Sequence, residues 1–425
     1  MVNPLGPRIA APNSVSSNKV VVEDHHSVSV PLFDLSRFDI RVDAALEEAV
    51  LRVLRHRNYI LGPEVSELER EIEDFLGGGH AIGMSSGTDA LLALLIASGI
   101  GPGDAVITTP YTFFATASCI HRVGAEILFC DIEPDSFLMA PESLRAVCTQ
   151  LTRAADGSFR TAKGNSLRAI MPIHLFGTCC DMEAIAAIAA EYGVPVIEDA
   201  AQVLGTDYPS ANGKTKAGLL GEMSYFSFYP SKNLGAIGDA GMAVCRDASL
   251  AEKVRCVRNH GMEARYFHKV VGGNFRLDAI QAAALRAKLP FLDGWNAARR
   301  ANAEIYKAAF AKAGLLTQIS LPAEPFATSG LRDHHIYHQF VTRILGDGKR
   351  DAVQAFLAGQ KIGCAIYYPV PLHLQECFAY LGHQAGDFPE SEQAAKESLA
   401  LPIFPGLKKE EIEEVVAGIA KALAG

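Results

Sequence analysis

Short apolar runs of strand length alternate with amphipathic helical stretches through the first 245 residues, and this restricts the fold more than any other feature of the chain. The runs at 105–109, 126–130, 169–173 and 194–198 are apolar on both alternating faces. Such strands must be covered on both sides, which is the habit of a parallel sheet with helices packed above and below. Helical spacing appears from Asp43 through Leu54, again over 64–75 before the triple glycine 77–79, and over 181–191. Residues 223–229 and 241–245 read as two further strands. The expected class is α/β with a mostly parallel sheet.

Beyond the sheet, the pattern from Leu277 to Ala313 is helical apart from Pro290, where a helix of that length should bend. It suits a connection to a smaller C-terminal α/β domain with a strand at 337–344, a helix at 349–358 stopped by Gly359, a strand at 364–368 and a last helix from Lys409. A chain of 425 residues is long enough for two domains. The expected division is a mobile tail over 1–27, rich in Pro, Ser, Asn and Val, a large domain over 28–290 and a small one over 291–425. The net charge of −9 argues against nucleic acid or an anionic membrane as partner, yet leaves room for an anionic small molecule in a locally positive pocket. No apolar run reaches membrane-spanning length, and the N-terminus lacks the pattern of a secretory signal. The nine cysteines form no CxxC and no zinc-like spacing, and most lie in apolar runs. They read as reduced core residues of a cytoplasmic protein, with no metal site.

Four groups of residues carry chemistry. Ser86, Gly87, Thr88 and Asp89 open directly into an apolar helix. Free N–H groups and the helix dipole attract phosphate at such a start, although the same residues also make an ordinary N-cap. Glu198 and Asp199 end an apolar strand at the carboxyl edge, where α/β sheets place ligands. Either can face a ligand or cap a helix, and the sequence does not choose between them. Lys232 sits in a turn after an aromatic-rich strand, five residues beyond Ser227 and just before the glycine-rich stretch 235–241. Lysines on turns are usually solvated. Here Ser227 can reach the same phosphate, and the glycines let backbone pass close to a ligand. Phe113 offers a flat apolar face, with Tyr111 and Phe114 competing for that role. A Schiff-base lysine, an acid for a pyridine nitrogen, a phosphate site and an apolar plate are what pyridoxal 5'-phosphate (PLP) demands of a protein.

The order of these residues resembles the DegT/DnrJ/StrS family of PLP-dependent nucleotide-sugar aminotransferases. The resemblance runs from residue 30 to residue 420 and rests on 86–91, 112–116, 198–202, 227–235, 273–283 and 367–373. It implies an aspartate-aminotransferase-like fold (fold type I) with Lys232 as the catalytic lysine. Asp199, not Glu198, would pair with the ring nitrogen, and Gln202 would lie by the ring hydroxyl. Thr88 and Ser227 would bind the phosphate, beside the Ser86 and Gly87 contacts that the helix start itself suggests, Phe113 would stack on the ring, and Asn274 would reach the phosphate across a homodimer. The resemblance also implies L-glutamate as amino donor, released as 2-oxoglutarate, and a pyridoxamine 5'-phosphate form between the half-reactions. The acceptor would be a keto sugar on a nucleoside diphosphate. Arg276 is the first candidate for binding it, followed by His338, Tyr367 and His373, while Arg265, Tyr266 and His268 lie in a stretch suited to closing over it. Dehydratases of the same family carry histidine where Lys232 stands, so the lysine points to transamination. The stretch 226–241 looks more like members acting on 3-keto sugars than those acting on 4-keto sugars, which tend to carry glutamate near Asp239. Amination at carbon 3 of a UDP- or dTDP-linked hexose is therefore expected. The alternatives are a 4-keto acceptor or a non-catalytic regulator that binds PLP or sugar.

Overall fold

The computed structural model describes residues 29–37, 39–211 and 213–424; the tail expected over 1–27 lies outside the described residues. Seven strands form its main sheet, in the order His80–Met84, Gly241–Cys245, Met223–Ser227, Ile197–Asp199, Ser166–Ile170, Asp104–Thr108, Glu126–Phe129. Continuous ladders join the first four and the last three, and bridges at Ile170–Val196 and Ile173–Asp199 connect the halves. Gly241–Cys245 runs antiparallel to both neighbours, and the other pairings are parallel. Buried on both faces, Gly241–Cys245 exposes no residue. Helix Gly87–Ala97 packs across it and Met223–Ser227, which is why that helix is apolar nearly all round.

Several expected strands come out displaced or shortened, among them 194–198, found as Ile197–Asp199, and 337–344, found as Phe340–Ile344. The run at 169–173 pairs as Ser166–Ile170, because Pro172 has no N–H to continue a ladder. The run at 364–368 forms no strand; Ala365 alone bridges Ala400. Beyond it the Tyr111 hydroxyl donates to the Tyr367 carbonyl and accepts from the Tyr368 N–H, so a side chain takes the place of a neighbouring strand.

Helix Ala279–Lys288, a 3-10 turn at Leu289–Phe291 and helix Leu292–Lys312 form the expected long connection, with Pro290 in the tight turn. It leads to a second core around Tyr306, Phe310, Phe340 and Phe404, under the antiparallel strands Ile319–Ser320, Phe340–Ile344 and Ser398–Leu401. Val30 belongs to this core and bridges Ile362, so the chain just after residue 28 packs with the C-terminal unit and not with the main sheet. Among the described residues no helix is long and apolar enough to cross a membrane. All nine cysteines are free, and six are buried; Cys377 is exposed, unlike the core residues expected.

One ionic cluster fixes the strand that leads into the turn at 85–87. Glu69 Oε1 accepts from the Gly83 N–H at 2.8 Å and from Arg258 at 2.7 Å, and its Oε2 accepts from Arg255 at 2.8 Å. Arg258 also donates to the Gly83 carbonyl, so helices Pro63–Leu76 and Ala248–Arg258 grip the same strand residue. Burial pulls the Arg258 pKa down, with Glu69 opposing, and removing Glu69 strands a buried cation. Glu69→Ala is expected to cost about 3–5 kcal/mol of stability. Urea unfolding of the variant beside the parent measures this as a lower midpoint; a change under about 1 kcal/mol, the worth of a surface pair, would refute it.

Candidate active site

Strands His80–Met84, Ile197–Asp199 and Met223–Ser227 run the same way, so their C-terminal ends meet at one edge of the sheet. Gly241 begins the antiparallel strand there, paired with both Met84 and Ser227. A cavity of about 540 Å³ opens at this edge. Its lining includes Ser86, Gly87, Thr88, Phe113, Asp199, Gln202, Ser227, Lys232, His338 and Tyr367, which the sequence distributes over 282 positions.

At the start of helix Gly87–Ala97, Ser86 Oγ accepts the Asp89 N–H at 3.0 Å. The earlier amides, those of Gly87 and Thr88, have no helical carbonyl to bond and remain available to an anion. Glycine is required by the packing here. A Cβ on Gly87 would lie 2.9 Å from Ser227 Cβ, and one on Gly241 would lie 2.3 Å from the Ser86 carbonyl carbon. These close approaches bring Ser227 to the same anion position.

Strand alternation separates the two adjacent acids. Glu198 faces away from the cavity and is fully engaged. It accepts the N–H groups of Gly218, Leu220 and Gly221 at 2.7–2.8 Å and bonds His174 Nε2 at 2.9 Å. The Cys180 N–H donates to His174 Nδ1, which leaves Nε2 as the nitrogen that donates to Glu198. Asp199 faces the cavity, where Thr116 Oγ1 donates to it at 3.1 Å and the Ala201 N–H at 3.2 Å. Burial pushes the Asp199 pKa up; hydrogen bonds from Tyr225, Ala201 and Thr116 and the charge of Lys232 oppose it. A cationic ring nitrogen is the partner such a carboxylate lacks.

Lys232 lies across the cavity in a turn closed by its own N–H to the Tyr229 carbonyl at 2.8 Å. Burial lowers its pKa from 10.5 to about 8, against the opposing pull of Asp199. An amine with that pKa is partly neutral near pH 8 and so nucleophilic. Phe113 presents a ring 59% exposed at the cavity, 6.4 Å from the Tyr368 ring. Its competitors are occupied elsewhere: Tyr111 is buried against Phe137, and Phe114 packs on Phe378. Gln202 is held between the Phe176 N–H, which it accepts at 2.7 Å, and the Tyr368 hydroxyl at 3.3 Å. An anion cradle, a buried acid, an apolar plate and a nucleophilic amine together suit a flat cationic heterocycle that carries an aldehyde and a phosphate.

Some expected residues lie elsewhere. His373 is buried outside the cavity, bonded to Glu392 at 3.1 Å and packed on Phe388. Leu372 is drawn to the Pro110 carbonyl, which turns the neighbouring histidine into the interior. Asn274 and Arg276 do not line the cavity of their own chain. Asn274 is exposed, and Arg276 donates to Asn259 Oδ1 at 2.9 Å while its backbone bridges Met84. Arg265, Tyr266 and His268 lie in or beside the hairpin of Met262–Ala264 and Phe267–His268, also away from the cavity. Sequence reasoning missed Thr116, Tyr225, Gln339 and Tyr368. Thr116 and Tyr368 lie inside stretches that carry the family resemblance, whereas Tyr225 and Gln339 lie in runs read only as strands.

The depressed lysine pKa is testable in cofactor-free protein. Acylation of Lys232 by an amine-directed reagent, followed by peptide mass spectrometry, should rise through a midpoint near pH 8, because only the neutral amine reacts. Asp199→Asn should move the midpoint lower, since the carboxylate supports the charged form. A midpoint near the ordinary 10.5 would overturn the reading.

Comparison with known proteins bears on what the cavity serves. Residues 41–420 match the model of the DegT/DnrJ/EryC1/StrS aminotransferase family. A pleiotropic regulatory protein of Geobacillus stearothermophilus is 44% identical over 93% of this chain and 98% of its own. UDP-N-acetyl-3-dehydro-alpha-D-glucosamine 3-aminotransferase of Acidithiobacillus ferrooxidans is 38% identical, covering 94% and 99%. Among solved structures, S. venezuelae DesV in complex with a ketimine intermediate superposes with a TM-score of 0.81 at 34% identity, over 92% of this chain and 98% of that one. The expected fold class is therefore correct. The chain belongs to the DegT/DnrJ/EryC1/StrS aminotransferase family and is a PLP-dependent aminotransferase.

Proposed function

We propose that this enzyme moves an amino group from L-glutamate to a nucleotide-linked keto sugar, at carbon 3 of a UDP- or dTDP-linked hexose. The observation that carries the reading is that Lys232 and Asp199 line one cavity together with Ser86, Gly87, Thr88 and Ser227. Support for carbon 3 comes from the Acidithiobacillus relative, named for a 3-dehydro sugar and matched over nearly its whole length.

Bound PLP supplies a carbonyl that exchanges amino groups and a protonated ring that takes up an electron pair. Asp199 holds the proton at the ring nitrogen. Gly87 and Thr88 amides, with Ser227, bind the phosphate, and Phe113 covers one ring face. Lys232 Nζ would hold the cofactor through its carbonyl carbon and be freed when the donor amine takes that place. As a neutral amine it would take the α-proton of the donor and return it to the former carbonyl carbon of the cofactor, on the far side of the amino nitrogen. The donor leaves as 2-oxoglutarate, and the keto sugar is aminated by the same proton transfers in reverse. One lysine thus serves as base and acid in turn. His338 and Tyr367 contact the sugar.

Asn274 and Arg276 act from the second subunit of a homodimer. The support is their position outside their own cavity, together with the exposed apolar side chains Tyr266, Phe267 and Val271 nearby in the chain, which a partner would cover. The name of the Geobacillus relative favours a second reading, a regulator. Turnover separates the two, since a regulator has no need of a nucleophilic lysine opposite a buried acid.

Two measurements check this. Assays with glutamate and paired 3-keto and 4-keto sugar nucleotides should show the higher kcat/KM for the 3-keto compound; a preference for the 4-keto compound would refute the assignment of carbon 3. Lys232→Ala and Arg276→Ala should each be inactive. Mixed in equal amounts and allowed to exchange subunits, they should recover about a quarter of parental activity, because half the dimers are hybrids and each has one complete site. Proven exchange without recovery would rule out sharing.

A further inference from the structure

His338 reaches the cavity from the C-terminal unit, and its ring is held by a chain of amides that begins at a single carbonyl. The Leu204 carbonyl only accepts, so the Asn296 atom at 3.3 Å from it is the donating Nδ2. Asn296 therefore turns its Oδ1 toward Asn233, whose Nδ2 donates to it at 2.6 Å. That leaves Asn233 Oδ1 to face His338 Nδ1 at 2.6 Å, and an oxygen there requires a proton on Nδ1. Each orientation follows from the one before it.

Steric fit supports the same chain. Gly205 has φ +103°, and a Cβ there would lie 2.7 Å from Asn296 Nδ2. Gly177 has φ +117°, and a Cβ there would lie 2.7 Å from the His338 amide nitrogen. Arg299, itself buried, donates to the carbonyls of His338 and Ile403 at 3.1 and 2.7 Å, which fixes the backbone that carries the ring. Burial drives the His338 pKa well down, and the positive charges of Lys232 and Arg299 drive it the same way, so the ring carries a single proton. With that proton on Nδ1, Nε2 is a lone-pair acceptor, and it has no protein partner among the described residues.

We propose that Asn296 and Asn233 fix His338 as a neutral acceptor whose Nε2 receives a hydroxyl hydrogen from the carbon next to the ketone of the acceptor sugar. This rests on the function proposed above. His338 then determines specificity, and Asn233 and Asn296 are positioning residues. A neutral acceptor favours a substrate with a hydroxyl at that carbon over its deoxy analogue, and it offers nothing to a carboxylate or phosphate oxygen. Sequence alone gives no sign of this, because Leu204, Asn233, Asn296 and His338 are far apart in the chain and Asn296 lies within a helix.

Two measurements on the holoenzyme test it. Nitrogen-15 NMR of histidine-labelled protein, with His338 assigned by its substitution, should show Nδ1 protonated and Nε2 bare from pH 6.5 to 9. A proton on Nε2 overturns the inference and leaves the aminotransferase reading intact. In the second, dTDP-linked 3-keto-6-deoxyhexoses are compared with analogues lacking the 2- or the 4-hydroxyl. The parent should prefer one hydroxylated compound at least about tenfold in kcat/KM. His338→Phe should abolish that single preference while keeping the other, whereas His338→Gln, which still offers an acceptor, should retain part of it. Asn296→Leu should weaken the same preference and no other, which a general structural lesion would not do. Equal losses for all analogues in His338→Phe would overturn the proposal. Failure to aminate any sugar nucleotide would instead overturn the function and the choice of ligand with it, whatever the tautomer.

Discussion

Parallel pairing of Met223–Ser227 with Ile197–Asp199 is the constraint on which the site depends. Parallel strands release their chains at the same edge, so the acid that ends one and the turn that follows the other meet there. Lys232 and Asp199 are 33 residues apart in sequence yet line one cavity. The antiparallel strand Gly241–Cys245 extends the effect. It returns the chain from the lysine turn to the same edge, and its first residue lies between Met84 and Ser227. The turn at Ser86, the lysine turn and the acid are thereby positioned by one hydrogen-bonded ladder rather than by separate loops.

Charge is placed with the same economy. Glu198 and Asp199 are neighbours with opposite surroundings. One is satisfied by three amides and a histidine, and the other is left facing a cavity with a raised pKa. The first holds loop 218–221 through three amides, and the second turns its carboxyl group to the cavity. Lys232 shares that low-dielectric setting, which weakens its hold on a proton. A buried acid and a buried amine facing each other remain reactive because neither finds enough partners in the protein to settle as a structural ion pair.

The C-terminal unit does more than close the cavity. Tyr111 ties the chain at Tyr367 and Tyr368 to the sheet domain, and the 336–339 segment bonds the loop at Phe176 and Gly177. Through these seams Gln202 meets Tyr368, and His338 meets Asn233. Side chains from both cores thus form one wall, and the geometry of the cavity depends on how the two units dock.

How much was legible in the sequence follows from the range of the forces involved. Strand and helix periodicity and the glycine stop after Leu76 are local, and the α/β class follows from them. Ser86, Gly87, Thr88, Lys232 and Ser227 were also readable, because anion-binding turns and a lysine before glycines are short-range patterns, given meaning by a family resemblance. Periodicity did not reveal that Pro172 ends a ladder early, or that Tyr111 replaces a strand partner for residues 367 and 368. The choice between Glu198 and Asp199 depends on which side of the sheet the three amides of 218–221 occupy. His373 was misplaced because its neighbour Leu372 bonds a carbonyl 262 positions away. The sequence by itself determined the elements and the chemical identity of the reactive groups, since both are written in consecutive residues. Tertiary structure alone decided which of those groups share a cavity and what each one faces, because long-range packing and buried hydrogen bonds set orientation and leave no periodic trace in the chain.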